Sequence, residues 1–91
     1  MELAYKILIK GRVTGVGFRY STLDKCADFP TLKGYVRNLG RGEVEVFLQG
    51  GGKDVNEMIS WLKIGPPYSR VDEFECVPTK FDQALRDFHI S

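Results

Sequence analysis

The chain has 91 residues, 43% of them hydrophobic, with 13 basic against 12 acidic side chains and a formal net charge of +1. That length accommodates a single core, so one domain over residues 1–91 is expected, and the hydrophobic fraction excludes a disordered chain. The near-neutral balance excludes capture of nucleic acid by a basic surface, and no run reaches the ~18 apolar residues of a membrane span.

The first segment, Ala4 to Lys10, alternates Tyr5, Ile7 and Ile9 against Lys6 and Lys10, with Leu8 the exception, and reads as a strand with one buried face. The stretch "GRVTGVGFR" (Gly11 to Arg19) follows. Leu23, Cys26 and Ala27 then recur at helical spacing, and Pro30 stops that helix. "GYVRNL" (Gly34 to Leu39) favours strand, "GRG" (Gly40 to Gly42) is a tight turn, and Val44, Val46 and Leu48 share one side of the next strand, giving a hairpin. Gly50 to Gly52 break the chain. Val55, Met58, Ile59 and Leu62 mark an amphipathic helix, with Lys53 and Glu57 paired on its outer face. "GPP" (Gly65 to Pro67) ends it. "RVDEFECV" alternates with Phe74 and Cys76 inward and Glu73 and Glu75 outward, and "RDFHI" supplies a short last strand.

The order is βαββαβ with a small extra strand, which predicts an α+β, ferredoxin-like sandwich. Two helices cover one face of a mainly antiparallel four-stranded sheet, and a short C-terminal strand is added. The N-terminus lacks a signal-peptide pattern, so a cytoplasmic location is expected, with Cys26 and Cys76 as free thiols filling the core.

Three glycines within nine positions, closed by Arg19, require an explanation, because glycine costs backbone entropy. Turn geometry alone would serve. So would an anion pocket, in which converging N–H groups and a helix N-terminus meet the planar donor fork of Arg19. Better-known anion loops are excluded. No G-K-[ST] tripeptide occurs, Tyr20 replaces the third glycine of a dinucleotide loop, and Val13 stands where a cysteine nucleophile would precede Arg19. Read alone, Asn38 before "LGRG" is a turn residue. Strand parity places it in line with Val36 on the inward row, at the strand's end, and puts Arg37 on the other face as an exposed charge. The Glu43 and Glu45 pair reads as solvent surface, and His89 as a solvated residue near the C-terminus. No metal is implied, since no Cys or His pair stands at ligand spacing.

Together, "GRVTGVGFR" and "GYVRNLGRGEVE" resemble the acylphosphatase family pattern, G-x-V-x-G-V-x-F-R followed by G-[WY]-V-R-N, a glycine turn and V-E. Gly11, Val13, Gly15, Val16, Phe18 and Arg19 match the first part. Gly34, Tyr35, Val36, Arg37 and Asn38 match the second, with Gly42, Val44, Glu45 and Gly50 beyond it, and "WLKIGPPYSRVDEFE" is also similar. Thr14 stands where the family has glutamine, and "ADFPTLK" (Ala27 to Lys33) lacks its Leu-Gly helix ending.

The resemblance implies a hydrolase that splits acyl phosphates into carboxylate and inorganic phosphate. It implies that Arg19 and the N–H groups of Thr14, Gly15, Val16, Gly17, Phe18 and Arg19 hold the phosphoryl group, and that Asn38 holds the attacking water. No cofactor is expected. Phosphate or sulfate should compete with substrate, and neither nucleic acid nor membrane should be a partner of what is expected to be a monomer. The alternatives are a non-catalytic anion-binding module and an RNA-binding module on the same fold. "KGYVRN" begins like an RNA-binding consensus, but Val36 and Arg37 stand where a small residue and an aromatic are needed.

Overall fold

A computed structural model describes residues 1–15 and 17–91. The elements run β1 (Glu2–Arg12), α1 (Phe18–Cys26), β2 (Lys33–Gly40), β3 (Glu43–Gly51), α2 (Gly52–Ile64), β4 (Arg70–Pro78) and β5 (Phe88–Ile90). The strands form one sheet in the order β4-β1-β3-β2-β5. Pairing is antiparallel except between β2 and β5, which are parallel. This is the expected ferredoxin-like arrangement, with the short C-terminal strand joining the sheet as its fifth member.

Register explains which side chains are buried. Ile7 pairs with Val46 and Cys76, Ile9 with Val44 and Phe74, and Val36 with Val46. Ile7, Ile9, Val36, Val44, Val46 and Leu48 are wholly buried beneath Val55, Met58 and Leu62 of α2 and Phe18 and Cys26 of α1. Burying such side chains contributes roughly 1.5–3 kcal/mol each before the ordering entropy is subtracted. Leu8, the exception in β1, lies on the opposite, helix-free face, as its pairing with Glu45 and Glu75 shows. Gly34 is needed where β2 meets β3, because a side chain there would collide with the Phe47 carbonyl.

Three readings of the sequence are corrected. The inward residues of α1 are Phe18, Thr22 and Cys26, whereas Leu23 is half-buried and Ala27 exposed. Thr22 is tolerated in the core because its hydroxyl donates to the Phe18 carbonyl at 2.8 Å, so no polar group is left unpaired. Gly50 to Gly52 do not break the chain: β3 runs through Gly51, and α2 starts at Gly52. Lys53 and Glu57 are absent from the ion pairs among the described residues.

The link from β4 to β5 must pass from one sheet edge toward the other, and it crosses the helix-free face. Thr79 donates its N–H to Ala4 of β1, Asp82 exchanges two bonds with the Gln49 side chain of β3, and the Gly34 N–H of β2 donates to Asp87. This strap lies at the end of the sheet where β1 begins and β3 finishes, leaving the other end clear.

Candidate active site

That clear end is where β1 and β2 both finish. β3 lies between them and runs the opposite way, so β1 and β2 point in the same direction. Ile9, Val44 and Asn38 form one cross-strand row, which places Asn38 about 10 Å from Ile9, two strand spacings away. The chain leaves β1 at Arg12 and enters α1, which packs over β2 and β5. The connection from β1 to α1 therefore leaves from the sheet end that also carries Asn38.

The loop is built for exposed backbone. Val13 anchors it in the core with 1% of its surface exposed. Gly15 and Gly17 have φ of 72° and 75°, a left-handed conformation that glycine adopts without a Cβ penalty. Thr14 is half-buried, and Gly15 and Gly17 are exposed. Val16, which the resemblance places among the phosphate-binding residues, lies outside the described residues. Phe18 is 1% exposed and packs near Trp61, ring centroids 6.4 Å apart, so its side chain is a core anchor.

The two helix N-termini differ in a way that bears on function. In α2 the first turn carries Asp54, whose carboxylate accepts a hydrogen bond from Thr31 at 2.7 Å, and Thr31 in turn accepts from the Gly51 N–H. That helix supplies its own anion. Neither helix has a side-chain cap, but α1, with Gly17 as its N-cap, has no acidic residue in its first turn. Its first N–H groups lack intrahelical acceptors and carry about half a positive charge. Arg19 sits in this first turn, half-buried, and no ion pair among the described residues uses it.

Asn38 faces the helix side by register but is exposed, near the end of β2, where a register shift between Asn38 and Gly40 precedes the last pair, Gly40 with Glu43. Its Oδ1 accepts a bond from the Gly40 N–H at 2.7 Å. That bond is the one expected of a turn residue. It fixes the plane of the carboxamide and uses one Oδ1 lone pair of the side chain's hydrogen-bonding capacity.

Other candidates lie elsewhere. Arg37 is on the helix-free face, where it holds Glu45 at 3.0 Å. Glu45 also accepts from the Tyr35 hydroxyl and is largely covered, so it is more than solvated surface. Burial, reinforced by this bond to Glu45, raises the Tyr35 pKa. His89 pairs with Asp87 near the start of β2, away from the site. Cys26 and Cys76 are free thiols, and burial pushes Cys26 up to about 12 and also raises Cys76. Among the described residues, no group of three or more His, Cys, Asp or Glu could hold a metal ion, and no helix is long and apolar enough to cross a membrane. A hollow of about 440 Å³ on the helix-free face is bordered by Glu43, Glu45 and Glu75, whose charges repel a phosphate.

Comparison with known proteins identifies the fold and the family. The acylphosphatase family model matches residues 5–90. An acylphosphatase of Paraburkholderia xenovorans is 46% identical over 69 residues, which are 76% of this chain and 70% of the relative. The crystal structure of acylphosphatase from Bacillus subtilis superposes with a TM-score of 0.88 at 31% identity, covering 100% of this chain and 99% of that one. Full-length HypF in its phosphate- and nucleotide-bound form matches at TM-score 0.88 and 32% identity, with the whole of this chain corresponding to 12% of that one. By sequence and by fold, the chain belongs to the acylphosphatase family and is a hydrolase of that type.

Proposed function

We propose that Arg19 and the N–H groups from Thr14 to Arg19 bind the phosphoryl group of an acyl phosphate, and that Asn38 positions the water that attacks it. The observation that carries this reading is the uncapped N-terminus of α1, with Arg19 in its first turn, at the sheet end that also holds Asn38. A helix start without its own anion favours a bound one. The Arg19 guanidinium adds a bidentate fork matched to phosphate oxygens.

In the proposed reaction, the oxygen of water forms a bond to phosphorus while the bond from phosphorus to the carboxyl oxygen breaks. The electron pair leaves with the carboxylate, and a proton of the water passes to a phosphate oxygen. Acyl phosphates have a good leaving group, so positioning and charge stabilisation suffice for a loose transition state. Asn38 cannot remove a proton at neutral pH. Its free Oδ1 lone pair can accept one hydrogen of the water, and the Gly40 bond holds that lone pair in place. Neither step calls on a metal or cofactor, and inorganic phosphate or sulfate should occupy the same loop.

The test separates the two roles by steady-state kinetics and phosphate titration. Arg19→Ala is expected to weaken phosphate binding and turnover together, with Arg19→Lys a poor rescue because a point charge lacks the fork. Asn38→Ala is expected to lower kcat by about 10²–10³-fold with phosphate affinity nearly unchanged. A folded Asn38→Ala protein with full activity would remove the water-positioning role. Loss of phosphate binding as severe as in Arg19→Ala would place Asn38 in the anion site.

A further inference from the structure

The hairpin turn between β2 and β3 contains the one non-glycine residue with positive φ among the described residues, Arg41 at 51°. An L-residue with a long side chain is disfavoured there, and glycine would not be. Gly40 and Gly42 flank it, both with positive φ, so the turn has the conformational room for a third glycine. Backbone strain retained at an exposed residue is a reason to look for a function of its side chain.

Its position suggests one. On one side, the Gly40 N–H donates to the Oδ1 of Asn38. On the other, the Gly42 carbonyl accepts from the N–H of Gly11, the residue that opens the glycine motif, at 2.9 Å. Arg41 thus stands in the middle of a three-residue bridge, Gly40 to Gly42, between the candidate water-positioning group and the start of the anion loop. It is exposed and absent from the ion pairs among the described residues. By contrast, Arg37 is held by Glu45 and Arg70 by Asp72. Arg12 and Arg19 share this end of the molecule and are likewise absent from those pairs. Glu43, next to Gly42, and Lys10, its partner across β1 and β3, also lie at this end. One arginine and a helix terminus already suit a phosphoryl group, so the additional charge on the bridge is available to another anion.

We propose that Arg41 binds a second anionic group on the acyl portion of the substrate, so that acyl phosphates bearing a further carboxylate are favoured over those with an uncharged acyl group. This rests on the reading of Arg19 and Asn38 given above. Arg12 pairs with Arg70 and lies on the helix-free side by strand alternation, so it contributes general field rather than contact.

The experiment compares kcat/KM for benzoyl phosphate with that for 3- and 4-carboxybenzoyl phosphate, in the wild-type protein and in Arg41→Gly, Arg12→Gln and Arg19→Ala. Arg41→Gly is chosen because it relieves the backbone and keeps the turn; an undiminished Tm confirms that it folds. The ratio of carboxylated to uncarboxylated kcat/KM is expected to fall about five- to ten-fold in Arg41→Gly, as for loss of a charge-assisted contact. It should move less than about two-fold in Arg12→Gln and decline with added salt in the wild type. An unchanged ratio for both carboxylated substrates in folded Arg41→Gly overturns the proposal, as does an equal fall in Arg12→Gln. Full hydrolysis of benzoyl phosphate by Arg19→Ala would overturn the phosphoryl-site reading, and this one with it. Loss of hydrolysis in Arg19→Ala with an unmoved ratio in Arg41→Gly overturns the second contact alone.

Discussion

Cys26 is 4% exposed against the core, and burial pushes its thiol up from an ordinary 9.0 to about 12. The protonated form is the one the folded state accommodates. Below pH 9 the thiol is protonated whether the chain is folded or not, and its packing contributes fully to stability. Between pH 9 and about 12 the unfolded chain loses its proton while the folded chain keeps it, so stability falls as pH rises, by at most about 1.4 kcal/mol per pH unit from this group. Cys26→Ala is expected to lower stability at pH 7 through lost packing and to flatten the decline above pH 9, which denaturant titrations at several pH values would measure. A decline of unchanged slope would assign the alkaline loss to other groups. Neither thiol lies in the proposed site, and Cys26 is too protonated at neutral pH to act as a nucleophile.

At the scale of elements, the two helices use their N-termini differently. α2 carries Asp54 in its first turn, held by Thr31, which also accepts from the Gly51 N–H, whereas α1 has no acidic residue there, and neither helix has a side-chain cap. The start of α2 lies at the far end of the sheet from Asn38, since β3 ends there. Thr31→Val should therefore cost about 1 kcal/mol of stability, the scale of a lost exposed hydrogen bond, and leave kcat and KM unaltered. Chemical denaturation together with kinetics on an acyl phosphate would show it. A large kinetic effect would mean that the two sheet ends are coupled. Phosphate should stabilise the protein by binding the folded state, and the loss of that stabilisation in Arg19→Ala would localise it to α1.

For the molecule as a whole, the strap and the proposed site lie at opposite ends of one sheet. The strap over the helix-free face is tied down by Gln49, 3% exposed, whose amide exchanges bonds of 2.9 and 2.8 Å with the backbone of Asp82. Gln49→Ala removes both bonds and leaves the backbone N–H and carbonyl of Asp82, an exposed residue, to water. A loss of about 1–2 kcal/mol is expected, or roughly 5–15 °C in Tm for a domain of this size. Turnover below the melting range should be preserved, because the glycine loop and Asn38 lie at the other end. Thermal melts and initial rates on the same preparation would test it, and a variant that remained stable but lost activity would contradict the separation.

The sequence by itself determined the order of elements, the alternation that buries Ile7, Ile9, Val44, Val46 and Leu48, and the helical face of Val55, Met58 and Leu62. These follow from local periodicity, which any stretch of chain displays without reference to its neighbours. It also contained both motifs of the candidate site, since glycines, Arg19 and Asn38 are recognisable as residue types at given spacings. Tertiary structure decided what depends on a partner. Thr22 enters the core because the Phe18 carbonyl takes its hydroxyl, and Phe18 is an anchor because Trp61 is beside it. Gly50 continues a strand because Leu3 pairs with it, although glycine runs ordinarily signal a break. Glu45 is covered by Tyr35 and Arg37 rather than by water. Arg41 acquires its interest from a turn conformation and from the contact of Gly42 with Gly11, residues 31 positions apart that hydrophobic periodicity does not relate. Periodicity reports the solvent and core sides of a segment, whereas the partner of a polar group is set by register and crossing geometry, which exist once the sheet has formed.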